Sequence, residues 1–327
     1  MPGFITHYIC GEAALKRLPA EIATIITDNR EIYNVGCQGP DMFFYYIPGL
    51  LKKNMKNLGI DMHVSNVQTF LMGMADAAAD ADSYTKPLLI AYLFGYLCHY
   101  ALDYSAHPYV YYKAGFRLDG DRSPKLRYSV YHRRFETAVD VLMLKMFSGQ
   151  KPNDKKLWQL IKAEKDHAQV VAAMVSAAIN NAYDRSVSPK EVFNAIKHMV
   201  WVTRVLQSRR GRRKRFMNLA ENLTVKEHLV SSLIHDQEIV DGIDYLNTQK
   251  LKWSMPWDEE AESTHSFGEL YNIAIVESEK LMVSMWDYLN GKMSREDLLA
   301  VVGNRSLKSG LEIEKDKDFV VHGSVFA

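Results

Sequence analysis

An all-α fold follows from three observations. Apolar residues recur at helical spacing through most of the chain, and no run of alternating β-branched residues is long enough to build a sheet. The most apolar stretch, Pro87 to Leu102, is too short for a membrane span and carries His99, so it reads as a buried helix. With 327 residues, 47% hydrophobic and 24% charged, the chain can bury a large core and lies outside the composition of disordered proteins.

The elements follow in order. Gly11 to Asn29 is amphipathic, with Pro19 placed to start a second helix. Gly36 to Pro48 reads as a loop, with the turn Gly39-Pro40-Asp41 ahead of the aromatic run Phe43 to Tyr46. Helices are expected over Asn66–Ala81, Lys86 to about Val110, and Tyr128–Phe147, with a loop over Gly115–Pro124. The second half adds helices over Asp154–Ala163, His167–Tyr183, Pro189–Gln207, Val225–Leu233, Gly268–Leu289 and Ser294–Val302. Trp253–His265 reads as an irregular connection, of the kind that often carries function. Three regions result: residues 1–150 as a helical metal-binding core, 151–304 as a helical extension packed on it, and 305–327 as an extended tail.

Charge and cysteine usage narrow the function. A formal net charge of +1 argues against a surface that is basic throughout, as in a general polyanion binder. Cys10, Cys37 and Cys98 are odd in number and far apart, which argues against a disulfide framework and for a reducing compartment. The first residues show no basic region followed by an apolar run, so a cytoplasmic location is expected.

The chemistry sits in His7, Asp41, His63, the set His99–Asp103–His107 and the pair His132–Glu136. His99, Asp103 and His107 are spaced i, i+4 and i+8, so two imidazoles and a carboxylate share one face of an otherwise apolar helix. Burying all three is costly unless something pairs with them, and a divalent cation does so directly. A polar structural network is the bland alternative for this set. His132 and Glu136 repeat the i, i+4 spacing beside Arg133 and Arg134, where a solvated ion pair is the alternative. Imidazole nitrogen and carboxylate oxygen suit zinc. Eight candidate ligands exceed the needs of one ion, so two or three ions are expected, with a carboxylate such as Asp103 able to bridge two.

In this order the motifs resemble the bacterial zinc-dependent phospholipase C family, whose trinuclear zinc core is similar to that of single-strand-specific fungal nucleases. The resemblance covers about Phe4 to Asp140, including Gly39-Pro40-Asp41-Met42-Phe43-Phe44-Tyr45-Tyr46. It implies an all-α phospholipase C-like bundle and hydrolysis of a phospholipid or related phosphodiester by metal-activated water. It also implies that Asp41, His63, His99 and Asp103 hold one zinc, His7 and Asp103 a second, and His107, His132 and Glu136 a third. Asp41 would be the general base. Secreted members use an N-terminal Trp as a ligand, where this sequence begins Met1-Pro2, so Pro2 is one substitute. Phosphatidylcholine-cleaving members place an aromatic where Met42 stands, which leaves the headgroup open.

Two other readings remain beside this one: a nuclease-like phosphodiesterase, and a zinc-stabilised binding or scaffold protein without turnover. Arg209, Arg210, Arg212, Arg213, Lys214 and Arg215 form a basic run. A solvated helix end explains it, and so does peripheral contact with an anionic membrane. Nucleic acid is the less favoured partner. His167, His198, His228, His235, His265 and His322 are expected at the surface or in the core.

Overall fold

The longest helix of the chain organises the rest. The computed structural model describes residues 3–47, 54–118, 120–122, 124–207, 214–217, 219, 221 and 230–326. Among these, Lys86–Ala114 forms a helix in which every residue from Leu88 to Tyr104 is buried. A helix that is apolar on all sides must be covered on all sides. The other helices are α1 (Phe4–Leu15), α2 (Ala20–Asp28), α3 (Arg30–Gly36), α4 (Asn54–Val64), α5 (Val67–Ala79), α7 (Lys125–Ser148), α8 (Lys165–Tyr183), α9 (Pro189–Leu206), α10 (Phe267–Leu289) and α11 (Arg295–Val302), with Lys86–Ala114 as α6. The most extensive packing on α6 comes from α3 and α10; α1, α5, α7 and α8 also pack against it.

Glycine permits the closest approach. A Cβ on Gly36 would lie 2.2 Å from the carbonyl oxygen of Tyr92, and one on Gly95 2.2 Å from that of Tyr33. Helices α3 and α6 therefore meet backbone to backbone, which brings the chain after α3 onto the face of α6 that carries His99. Serine caps the starts of α9, α10 and α11. Ser188 and Glu191 form a reciprocal capping box at α9, as do Ser266 and Glu269 at α10.

Several sequence expectations change in detail. The region Gly36–Pro48 contains a 3-10 helix, Gly39–Tyr45. Helices α3 and α4 were not foreseen, and α1 begins at Phe4 rather than Gly11. Over Asp154–Ala163 only a 3-10 turn, Leu157–Gln159, is formed. There the side chain of Gln207 takes the place of a helical ladder: its Oε1 accepts from Leu157 N at 3.2 Å and its Nε2 donates to the carbonyls of Pro152 and Lys155. Trp253–His265 contains a small antiparallel hairpin, Trp253–Met255 with Asp258–Ser263, and Trp253 is buried against Tyr109. Residues 305–326 run back along α6 and α7 without a strand, apart from an isolated bridge between Arg305 and Glu312.

Among the described residues no helix is long and apolar enough to cross a membrane. The three cysteines are free and buried. Arg209, Arg210, Arg212 and Arg213 lie outside the described residues, as do Pro2, His228 and the first five residues of the expected Val225–Leu233 helix. Of the rest of the basic run, Lys214 pairs with Asp236 at 2.6 Å and Arg215 is exposed.

Candidate metal centre

All eight residues singled out in the sequence come together beside α6. Helix α6 supplies His99, Asp103 and His107 from one face, α1 supplies His7, the 3-10 helix supplies Asp41, α4 supplies His63 near its end, and α7 supplies His132 and Glu136. Gly39 makes the approach of Asp41 possible. Its φ is +49°, a region that glycine enters without strain, and a Cβ there would lie 2.3 Å from the His99 ring.

The ligand atoms form three groups: His7, Asp41 and His99; His63, His99 and Asp103; and His107, His132 and Glu136. Within each group the atoms lie within 4.8 Å of one another. The first two groups share His99. Asp103 is central: its Oδ1 is 3.3 Å from His7 Nε2 and 3.7 Å from His107 Nδ1, and its Oδ2 is 3.0 Å from His99 Nε2 and 3.7 Å from His63 Nε2. Asp41 Oδ1 lies 3.4 Å from His63 Nε2. The His7 and His99 rings stack at 4.1 Å.

Backbone carbonyls orient the rings. His63 Nδ1 lies 2.5 Å from the Gly59 carbonyl and His99 Nδ1 3.3 Å from that of Cys37, while His107 Nδ1 is bonded to the carbonyl of Leu307. Each ring thereby turns its Nε2 inward, the arrangement in which a second hydrogen bond fixes the tautomer of a metal-binding histidine.

Burial and neighbouring charge act on the ionisation of these residues in opposite directions. Burial works against ionisation of Asp103, but the surrounding His107, His99 and His7 outweigh it and hold its carboxyl well below the usual range. Burial lowers His7, with its neighbour His99 adding to the effect, and lowers His107 well below the ordinary value against the pull of Asp103. Burial also lowers His132, against the pull of Glu136. For His99, burial is outweighed by Asp103 and the value rises. Asp103 and His99 thus favour each other's charged forms, while burial opposes charge on His7, His107 and His132.

The donor set also fits a cation by what it leaves unmatched. Nδ1 of His7, Nε2 of His107 and Oδ1 of Asp41 are buried without a hydrogen-bond partner, and Nε2 of His7 and of His99 face only the Asp103 carboxylate. Native proteins rarely leave so many buried polar atoms unmatched in one place. Nitrogen and oxygen donors of this kind suit zinc.

The family model for zinc-dependent phospholipase C matches residues 6–188. The chain belongs to the zinc-dependent phospholipase C family. No curated protein and no solved structure matches it. The matched span contains every residue of the three groups, so the family assignment and the geometry fall on the same part of the chain.

One functional neighbour was not foreseen in this phospholipase C-family chain. Asp140 on α7 is fully buried and accepts from Ile5 N at 3.0 Å, Thr6 N at 2.8 Å, Thr6 Oγ1 at 2.6 Å and His235 Nε2 at 2.7 Å. It caps the start of α1 one turn from His7. Its signal was present in the sequence, four positions after Glu136 on the same helical face. His167 pairs with Glu31 at 2.8 Å, and neither it nor His198, His235, His265 or His322 joins a metal-type group among the described residues.

Proposed function

We propose that the chain is a zinc-dependent phosphodiesterase that hydrolyses a phospholipid or a related phosphodiester. The observation that carries this reading is the convergence of buried, unmatched nitrogen and oxygen donors inside the family-matched span. Asp41, His63, His99 and Asp103 would hold one ion, His7 and Asp103 a second, and His107, His132 and Glu136 a third. Bound zinc supplies Lewis acidity toward a phosphoryl oxygen and acidifies water.

The side chains do the rest. Asp103 stays ionised between the histidines and counters the charge gathered there. Asp41, at the wall formed by the 3-10 helix, takes the proton of the attacking water as general base. The water oxygen adds to phosphorus, the phosphorus–oxygen ester bond breaks, and the proton passes to the departing alcohol. The carbonyls of Cys37, Gly59 and Leu307 keep the rings from turning as charge shifts.

Lipid is favoured over nucleic acid by exposed apolar groups beside cations. Trp201 and Val205 on α9 are 54% and 42% exposed and Phe216 is 68% exposed, near the exposed cations Lys197, Arg204 and Arg215 in sequence. Apolar side chains enter an acyl-chain boundary, and cations beside them attract anionic headgroups.

Elemental analysis of purified protein beside His99→Ala tests the centre. Two or three zincs per chain, with a clear loss in the variant, are expected. Hydrolysis of short-chain phosphatidylcholine against single-stranded DNA then separates the substrates. Tight zinc with a large loss of stability on chelation, and no turnover of either substrate, would replace this reading with a structural role for the metal.

A further inference from the structure

We propose that the turn 305–311, far beyond the family-matched residues 6–188, is a positioning element of the metal centre that acts through the backbone of Leu307. The N–H of Leu307 donates to the carbonyl of His63 at 2.7 Å, and its carbonyl accepts from His107 Nδ1. One residue thus holds two candidate ligands, one from α4 and one from α6, that belong to different groups. With Nδ1–H given to Leu307, His107 presents Nε2, which is buried and has no hydrogen-bond partner. A carbonyl in this place fixes the ring and makes it a better donor to a metal.

The turn is built to stay where it is. Ser306 N donates to the Leu311 carbonyl at 2.8 Å and Gly310 N to that of Ser306 at 2.8 Å, while Ser306 Oγ accepts from Lys308 N and Ser309 N. Arg305 N donates to Tyr100 Oη at 3.0 Å. Ser306, Leu307 and Ser309 are buried. Gly310 has φ +75°, and a Cβ there would lie 2.4 Å from the carbonyl oxygen of Tyr104. That carbonyl is the one whose helical donor would be residue 108, and residue 108 is a proline inside α6. The turn therefore docks at the break that Pro108 makes in the α6 ladder, one helical turn from His107.

This inference rests on the reading that the histidines hold zinc. Its test compares zinc content and zinc affinity, by chelator competition, in the full-length protein and in Gly310→Ala, Leu307→Pro and the control Phe326→Ala. Phe326 belongs to the same C-terminal segment but its ring packs on Tyr131, Tyr245 and Arg134, none of which is a candidate ligand. Gly310→Ala and Leu307→Pro are expected to weaken zinc binding by about 10- to 100-fold with helical content retained. Phe326→Ala is expected to lower thermal stability and leave zinc affinity unchanged, a split that a merely structural role for the turn would not produce. Nitrogen-15 NMR of the zinc-loaded wild type gives a readout that needs no variant: Nδ1 of His107 protonated and Nε2 on the metal is expected. His107 bound through Nδ1, or unchanged zinc affinity in both turn variants, overturns the proposal. A wild type that binds no zinc overturns the functional reading as well; a zinc-binding, active wild type matched by both variants overturns only the role of the turn.

Discussion

The two ends of the ligand-bearing face of α6 lie in different surroundings. Toward its middle, the side chains of His7, Asp41, His63, His99 and Asp103 are at most 9% exposed, and several of their polar atoms have no partner. Further along, His132 and Glu136 are 17% and 12% exposed and already make an ion pair at 2.6 Å. Buried polar atoms that lack hydrogen bonds are expensive, whereas a partly exposed pair that matches itself is tolerated. An ion bound at the inner cluster would therefore add more stability than one bound at the outer trio.

The largest effect that would sharpen this contrast is Asp103→Asn. It removes the one carboxylate that faces four histidines. Zinc at the inner groups and turnover should fall to background while an ion at the outer trio persists, as read by zinc per chain. Equal loss at both ends would break the comparison. Next is Asp140→Ala, which strands Ile5 N, Thr6 N and Thr6 Oγ1 in the interior. A loss of about 3 kcal/mol in stability is expected from denaturant unfolding, with zinc weakened at the His7 group first. His132→Ala should cost one ion per chain and, by leaving Glu136 without its partner, about 1–2 kcal/mol of stability in the metal-free protein. A larger loss would show the outer trio to be as demanding as the inner cluster.

The smallest effect lies away from the metal centre and serves as its electrostatic control. Glu269 is held down to about 2 by Lys250 and by the backbone of Ser266, from an ordinary value of 4.5. Its folded value is below its unfolded one, so its contribution is present above about pH 4.5 and lost as pH falls toward 2. Glu269→Gln should flatten the dependence of stability on pH in that window, as followed by acid titration of the unfolding midpoint, and leave zinc unaffected.

Much of the centre was legible because helical spacing is geometric. His99, Asp103 and His107 had to share a face once Lys86–Ala114 was a helix, and His132 with Glu136 likewise. Gly39 was read only as a turn; its need for φ +49° and its closeness to the His99 ring belong to tertiary structure. Asp140 could have been found by extending the four-residue step past Glu136. The carbonyls of Cys37 and Leu307 could not, because every residue has a carbonyl and only folding selects which one meets a ring. The same reason hid the 3-10 turn near Leu157, where the distant side chain of Gln207 replaces local hydrogen bonds.

The bond between His107 and Leu307 joins positions 200 apart in the chain. At synthesis rates of about 5–20 residues per second, His107 is added to the chain roughly 10 to 40 seconds before its acceptor exists. Through that interval the imidazole must bond to water or to a temporary neighbour, even if the helices around it have already formed. The nascent chain thus presents its histidines to the cell before it can fix all their orientations.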